Sequence, residues 1–416
     1  MTRRMLSKHL VAIDVGTTKI CVLVASVDSS GRIEIIGMGQ HPSYGLKKGV
    51  VVNVSKTVES ITKAITQAES MSGIPIETAV VGISGGHIRS FNSKGVVAVK
   101  RDEVTQDDIN RVVDAAKAIV VPNDREILHI LPQYFCVDGQ QLVQDSLGLH
   151  GVRLEAQVHI ITGAISSAQN IVKACELAGV KVTDIVLEQI ASADAVLTPA
   201  ERDLGVGILD IGGGTSDFAI YKDGRIRHSK VLAIAGNHFT SDLAIGLGIP
   251  IDQAEHLKRS YGFVSEEMYL ELDQDNVVID LGYEGGKKKI DTYSLFEILE
   301  PRAQEIFTTL CDEINEYQLR GFMPAGLVLT GGGSLLSGMD MLARSVFKSQ
   351  ARVGLPIGRG DGGVVSDVLK SPIYSTAYGL LICALRSRDH SLLTGESDPV
   401  VSRIFKSMKS WIYDFL

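Results

Sequence analysis

Twice in this chain, about 200 residues apart, an apolar strand ends in an aspartate and turns through glycines and hydroxyls into a second apolar strand. In the first copy His9–Ile13 runs into Asp14-Val15-Gly16-Thr17-Thr18-Lys19 and returns as Ile20–Ala25. In the second, Val206–Leu209 runs into Asp210-Ile211-Gly212-Gly213-Gly214-Thr215-Ser216-Asp217 and returns as Phe218–Tyr221. Each copy continues through a further turn, Asp28-Ser29-Ser30-Gly31 or Asp223-Gly224, to a third strand beginning Arg32-Ile33 or Arg225-Ile226. An internal duplication of a strand–turn–strand–turn–strand unit predicts two related halves. The turns also have a chemistry. Glycines strip away side chains, so backbone N–H groups can approach an anion closely. Thr17, Thr18, Thr215 and Ser216 add hydroxyls, and the flanking carboxylates can hold a phosphate-bound Mg²⁺ through water. A glycine turn between strands is ordinarily just a hairpin, but two such hairpins facing each other would clamp one nucleotide between two domains.

The length of 416 residues is too great for one core and implies several domains. A net charge of −8 argues against a general nucleic-acid binder, whose surface would be basic. Cys21, Cys136, Cys175, Cys311 and Cys383 are odd in number and lack C-x-x-C spacing, so reduced buried thiols and a cytoplasmic setting are expected. The apolar run after Met1–Lys8 is cut by Asp14, so it does not read as a signal peptide. No stretch approaches the roughly 18 apolar residues of a membrane span.

Thr57–Ser70 carries a helical apolar stripe ended by Ser72-Gly73, and Ala79–Ile83 reads as a buried strand. From about 84 to 162 the pattern changes to strands around one capped helix, which reads as an inserted α+β module. His87, His129, His150 and His159 are too dispersed within it for a metal site and are expected to be structural or surface residues. Ser166–Ala178 is a helix and Lys181–Leu187 a strand. The next helix, Glu188–Leu197, is rich in small residues, as is Tyr374–Ala384. Two such helices can cross closely. Glu188 at the helix start is either a solvated carboxylate favoured by the helix dipole or a group that positions an attacking water. Ala235–His238 precedes a helix from about Thr240. Glu255 and Lys258 share a face of a helix over Asp252–Tyr261, the usual spacing of a surface ion pair. Ser294–Tyr317 is a long amphipathic helix. Ala325–Thr330 runs into Gly331-Gly332-Gly333-Ser334 and a helix from about Leu336, a third cradle for an anion or nucleotide.

Residues 386–400 lose periodicity and read as a linker. Val401–Leu416 then places Ile404, Phe405, Met408, Trp411, Ile412, Phe415 and Leu416 on one face, flanked by Arg403, Lys406 and Lys409. Such a helix docks on its own core or lies in a membrane interface against anionic lipid, and the preceding linker favours the membrane. At about 1 kcal/mol per basic residue near an anionic leaflet, the apolar face must supply most of the affinity.

Five stretches in this order resemble the actin, heat-shock-chaperone and sugar-kinase superfamily. These are Asp14–Lys19, Glu188–Ala193, Asp210–Asp217, Leu329–Ser334 and Tyr374–Gly379. Within it the whole chain resembles the FtsA family of bacterial cell division, through Lys48–Val51, Gly82–Ile88, Glu155–His159, Ala235–Asp242 and Glu300–Arg302. The resemblance implies an α/β fold of two actin-like lobes. Lobe 1 would comprise 1–83 and 163–188, interrupted by a family-specific subdomain at 84–162. Lobe 2 would comprise 189–231, an outer subdomain at 232–307, and 308–373. A second connecting helix at 374–385, a linker at 386–400 and a membrane-targeting helix at 401–416 would follow.

For the site the resemblance implies ATP, with Gly16, Thr17, Thr18 and Lys19 on one side of the phosphates and Gly212, Gly213, Gly214 and Thr215 on the other. Asp14 and Asp210 would serve Mg²⁺ through water, and Glu188 and Asp210 would act in hydrolysis. Gly236, Glu255, Lys258, Gly331, Gly332, Gly333 and Ser334 would frame the nucleoside. The implied role is a polymer on the cytoplasmic face of the inner membrane that tethers FtsZ by its C-terminal peptide, held on 232–307, and helps recruit later division proteins. The alternative is a soluble sugar or carboxylate kinase of the same superfamily. It would need a general base outside the phosphate loops, and no residue stands out as one. A chaperone-like ATPase would need a substrate-binding domain beyond the last connecting helix, where only about 30 residues remain.

Overall fold

A computed structural model describes residues 9–28, 31–142, 146–270, 276–280, 286–358 and 367–394. The terminal segment 401–416, expected to be amphipathic, lies outside the described residues, as do 395–400 of the expected linker.

Lobe 1 begins with three antiparallel strands, β1 (His9–Val15), β2 (Lys19–Val27) and β3 (Ile33–Pro42). A short ladder, β4 (Leu46–Lys47) with β5 (Val50–Val51), leads to α1 (Val54–Ser72). Asn53 caps α1 by accepting from the Lys56 N–H, and Gly73 ends it in the left-handed conformation at φ 69°. Next, β6 (Thr78–Ile83) joins β1 in parallel. The chain then leaves the lobe for a separate antiparallel sheet, β7 (Arg89–Ala98), β8 (Arg125–Val137), β9 (Gln140–Leu142) and β10 (Arg153–Ala164), in the order β7-β10-β8-β9. One helix, α2 (Gln106–Lys117), covers it behind a Thr105–Asp108 capping box. This module has its own core of Ile109, Val112, Val113, Ile130, Phe135, Leu154 and Val158. Within it His129 and His159 are buried, and the described residues contain no cluster of metal-ligating side chains.

The chain returns through α3 (Ile165–Leu177) to β11 (Lys181–Leu187), parallel to β6, and closes a sheet ordered β11-β6-β1-β2-β3. After α4 (Glu188–Val196) and α5 (Pro199–Leu204), lobe 2 repeats the scheme. Strands β12 (Val206–Ile211), β13 (Ser216–Lys222) and β14 (Arg225–Leu232) are antiparallel. The outer part follows as α6 (Gly236–Leu247), α7 (Ile251–Tyr261), α8 (Glu266–Leu270), β15 (Asn276–Asp280) and β16 (Lys287–Asp291). It leads into α9 (Thr292–Glu316). Then β17 (Leu327–Thr330) joins β12 in parallel, α10 (Met339–Phe347) crosses over, and β18 (Ala351–Val353) joins β17 in parallel. The order β14-β13-β12-β17-β18 mirrors lobe 1 strand for strand. The duplication seen in three strands of sequence therefore extends to all five.

The last described helix, α11 (Ser375–Thr394), packs across α4. Contact is so close that a Cβ on Gly379 would lie 1.8 Å from the Ala191 carbonyl oxygen. Ala191, Ala193, Ala377 and Leu380 are all buried at this crossing. The helix runs through Thr394, so 386–394 of the expected linker are helical. Arg386 pairs with Asp194, and Ser387 donates to Asp184 at 3.4 Å, which ties this extension to lobe 1.

A methyl group at Gly379 must push two backbones apart, an overpacking cost of about 1–3 kcal/mol. Gly379→Ala is expected to lower the urea midpoint of unfolding with little change in its slope. An unchanged midpoint would mean the two helices do not touch.

Candidate nucleotide cleft

Both duplicated hairpins close with the same backbone bond. The Gly16 N–H donates to the Lys19 carbonyl at 3.1 Å, and the Gly212 N–H donates to the Thr215 carbonyl at 2.9 Å. The two turns then meet across the lobes. A Cβ on Gly213 would fall 1.8 Å from Thr18 Oγ1, and one on Gly214 would fall 2.5 Å from Thr17 Oγ1. Glycine at these positions is thus set by the facing threonines as well as by the turn. Thr17 Oγ1 also accepts from the Gly49 N–H at 2.9 Å. The start of α6 docks on the second turn, with the Gly236 N–H donating to the Gly212 carbonyl at 3.0 Å and the Asn237 N–H to that of Gly213 at 2.8 Å.

Four carboxylates converge on these turns. Asp14 and Asp210 are the next-to-last residues of β1 and β12, Asp217 lies near the start of β13, and Glu188 opens α4. Three of them are buried, and Glu188 is half-buried. Asp210 Oδ2 accepts from Ser192 Oγ and from Thr376 Oγ1, the latter at 2.9 Å. Asp217 Oδ1 accepts from Ser84 Oγ, a bond that reaches from lobe 1 to lobe 2. Burial dominates their acidity. It pushes Asp14 up to about 6 against the opposing charge of Lys19, and Asp217 up to about 7 against hydrogen bonds from Ser84 and Thr215. Glu188 rises well above the ordinary carboxylate range through loss of water and then repulsion by Asp14, Asp217 and Asp210. Asp210 is also raised by burial, with Ser192 and Thr376 pulling it back. Glu188 thus stands half-buried at the start of α4, in the field of these three aspartates.

This donor set fits a cation-bearing anion: mutually repelling carboxylates on one side and hydroxyl- and glycine-rich turns on the other. Among the described residues no three acidic, histidine or cysteine side chains stand close enough to ligate a bare metal together. A divalent ion here would have to be held largely by water and phosphate.

The remaining expected residues are placed less uniformly. Lys19 Nζ donates to the Ile373 carbonyl at 2.5 Å and sits 4.8 Å from the centre of the Tyr374 ring, engaged with the lead-in to α11. Lys258 and Glu255 form more than a surface pair. Lys258 Nζ donates to the Gly236 carbonyl at 3.1 Å, to Thr240 Oγ1 at 2.8 Å and to Glu255 Oε2 at 2.6 Å, binding α7 to the first turn of α6. Gly331, at φ 78°, touches the cleft directly, because its Cβ would lie 2.2 Å from Asp210 Oδ1. Gly332 to Leu335 form a short 3-10 turn, and α10 starts only at Met339, so this turn does not pass straight into a helix N-terminus. Ser334 is buried and donates to its own turn at the Gly331 carbonyl, 2.7 Å away. Ser84, Ser192, Thr376 and Asn237, whose Oδ1 accepts from Thr18 Oγ1 at 3.4 Å, were not expected at the cleft. Their signal was a hydroxyl or amide next to a glycine-rich or small-residue segment.

Fold and cleft together define an actin-like protein of two duplicated lobes. Solved structures share the architecture. A "PilM-PilN type IV pilus biogenesis complex" chain matches 90% of this chain and 98% of its own at TM-score 0.64 and 17% identity. "MreB 5 of Spiroplasma citri bound to AMPPNP" matches 94% of this chain and 100% of its own at TM-score 0.58 and 15% identity. Family models described as "SHS2 domain inserted in FTSA" and "Cell division protein FtsA" match residues 85–162 and 207–379. The cell division protein FtsA of Pseudomonas aeruginosa is 41% identical over 97% of both chains. That of Escherichia coli K12 is 37% identical over 97% of this chain and 96% of its own, and that of Bacillus subtilis 34% over 91% and 83%. The chain belongs to the FtsA family of cell division proteins.

The raised acidity of Asp217 makes a signed prediction. With its value moved from 3.8 to about 7, the folded protein prefers the protonated acid. That preference adds stability below the unfolded value, and the contribution is lost as pH rises through about 7. Asp217→Asn keeps the neutral shape. Its melting temperature relative to the parent, without nucleotide, should therefore climb between about pH 5 and about pH 8. A difference that stays flat would place Asp217 in solvent.

Proposed function

We propose that this protein binds Mg-ATP between its lobes and assembles into filaments on the cytoplasmic face of the inner membrane. There it tethers FtsZ and helps recruit later division proteins. The observation that carries the nucleotide reading is the meeting of the two hairpins, Gly213 and Gly214 against Thr18 and Thr17, with three buried carboxylates and the half-buried Glu188 beside them. A phosphate chain entering there is met by backbone N–H groups and hydroxyls from both sides, and closure of the lobes fixes the subunit shape that polymerises. Asp14 and Asp210 would hold Mg²⁺ through water, and the ion would offset charge on the phosphates and on these carboxylates. Likeness to a protein solved with AMPPNP supports the same reading.

Glu188 is the group proposed to orient the attacking water, and turnover need only be slow for an assembly protein. Glu188→Ala is then expected to lower ATP hydrolysis more than about tenfold while ATP affinity changes less than about threefold. Equal turnover in variant and parent would remove Glu188 from the chemistry.

The membrane and partner assignments rest on sequence and family. Val401–Leu416 supplies the amphipathic face, with Trp411 at its centre. Among the described residues no helix is long and apolar enough to cross a membrane, so attachment is proposed to be interfacial. The outer part of lobe 2, 232–307, is the proposed seat of the FtsZ C-terminal peptide. Ile245 and Ile251, 81% and 56% exposed, give it apolar surface. The test is co-sedimentation with anionic liposomes. The full chain should pellet, more so with ATP, whereas a chain ending at Val400 and the Trp411→Glu variant should stay in the supernatant with ATP affinity intact. Pelleting of the shortened chain would move the anchor elsewhere.

A further inference from the structure

Asp210 is gripped from three directions, each by a different element. Ser192 Oγ on α4 and Thr376 Oγ1 on α11 both donate to its Oδ2, and the two hydroxyls stand 3.0 Å apart. On the other side, Oδ1 fills the place a side chain at Gly331 would occupy. The approach to α11 extends this grip residue by residue. The Pro372 carbonyl accepts from the Gly331 N–H at 3.2 Å, and that of Ile373 accepts from Lys19 Nζ. Tyr374 Oη donates to Gln40 Oε1 at 3.2 Å, and the Ser375 and Thr330 hydroxyls bond at 2.7 Å. Five consecutive residues, 372–376, thus bond in turn to the third glycine turn, the first hairpin, the edge of the lobe 1 sheet, β17 and Asp210. Close packing at the crossing does not by itself call for hydroxyls. Alanine at 192 and valine at 376 have suitable sizes and would leave Asp210 Oδ2 without these donors.

We propose that Ser192 and Thr376 are positioning residues that fix the carboxylate of Asp210 for the hydrated cation of a bound nucleotide, one from each crossing helix. The proposal deepens the Mg-ATP reading and rests on it. An ionised carboxylate with two hydroxyl donors on one oxygen cannot rotate freely, so the other oxygen keeps its direction. Without a hydroxyl, Asp210 is free to turn, and the part of the affinity that depends on the cation falls. The part supplied by the glycine turns remains.

The test measures ATP affinity of the full chain by calorimetry in saturating Mg²⁺ and again in EDTA. The parent should bind more tightly with Mg²⁺. Thr376→Val should lose about tenfold in Mg²⁺, the worth of one charge-assisted hydrogen bond, and change less than about twofold in EDTA. Thr376→Ser, which restores the hydroxyl, should return to within about twofold of the parent. Ser192→Ala should repeat the valine result and carries the test if Thr376→Val does not fold. Equal losses with and without Mg²⁺ would show a packing role and overturn the proposal, as would an unchanged Mg²⁺ dependence. A parent that binds no ATP would overturn the nucleotide reading itself, and this proposal with it.

Discussion

The withdrawal of converging carboxylates from water at one cleft is the constraint on which this molecule turns. Asp14 comes from lobe 1, Asp210 and Asp217 from lobe 2, and Glu188 from the helix between them. Burial pushes each toward its protonated form, and repulsion from neighbouring carboxylates adds to this for Asp14, Asp217 and Glu188. Such an arrangement is costly on its own, and a cation entering with phosphates would offset that cost. The hydroxyls of Ser84, Ser192 and Thr376 meet part of the cost with hydrogen bonds to Asp217 and Asp210. The two lobes are therefore held together partly by the groups that a ligand would use.

The crossing of α4 and α11 lies beside the same carboxylates. Two helices rich in small residues cross with Gly379 against Ala191, so their axes are set by backbone contact rather than by adaptable side chains. Around that crossing, Asp194 receives Arg202 and Arg386, and Thr376 reaches Asp210. A change of angle between the lobes must pass through these bonds. The inserted sheet keeps a separate core and meets lobe 2 through polar groups, as where Gln133 donates to the Arg227 carbonyl at 2.8 Å.

Much of this was legible in the chain because the duplicated hairpins carry their chemistry within a few consecutive residues. Strand, aspartate, glycine turn and returning strand declare both the α/β fold and the facing loops. The parallel strands of each sheet were not recognisable as repeats. A whole inserted module lies between β6 and β11, and nearly a hundred residues lie between β14 and β17. Ser192 and Thr376 read as small residues for a helix crossing, a role they also have, and nothing local announces that their hydroxyls reach Asp210. Lys258 shows the same limit: a spacing typical of surface pairs hides two further bonds from Lys258 to α6. The helical course of 386–394 was missed because α11 is buried on every side over Ala377–Leu385 and then turns polar, so no one-sided stripe marks its continuation.

That continuation has a mechanical consequence. Twenty residues of α-helix make a rod of about 30 Å, and α11 is such a rod, seated on Asp210 at one end and extending to Thr394 at the other. A tilt of about 10° at its seat would sweep the far end through about 5 Å. The placing of Thr394 is therefore geared to the cleft: a small turn where two glycine- and alanine-lined helices cross is magnified at the far end of the rod.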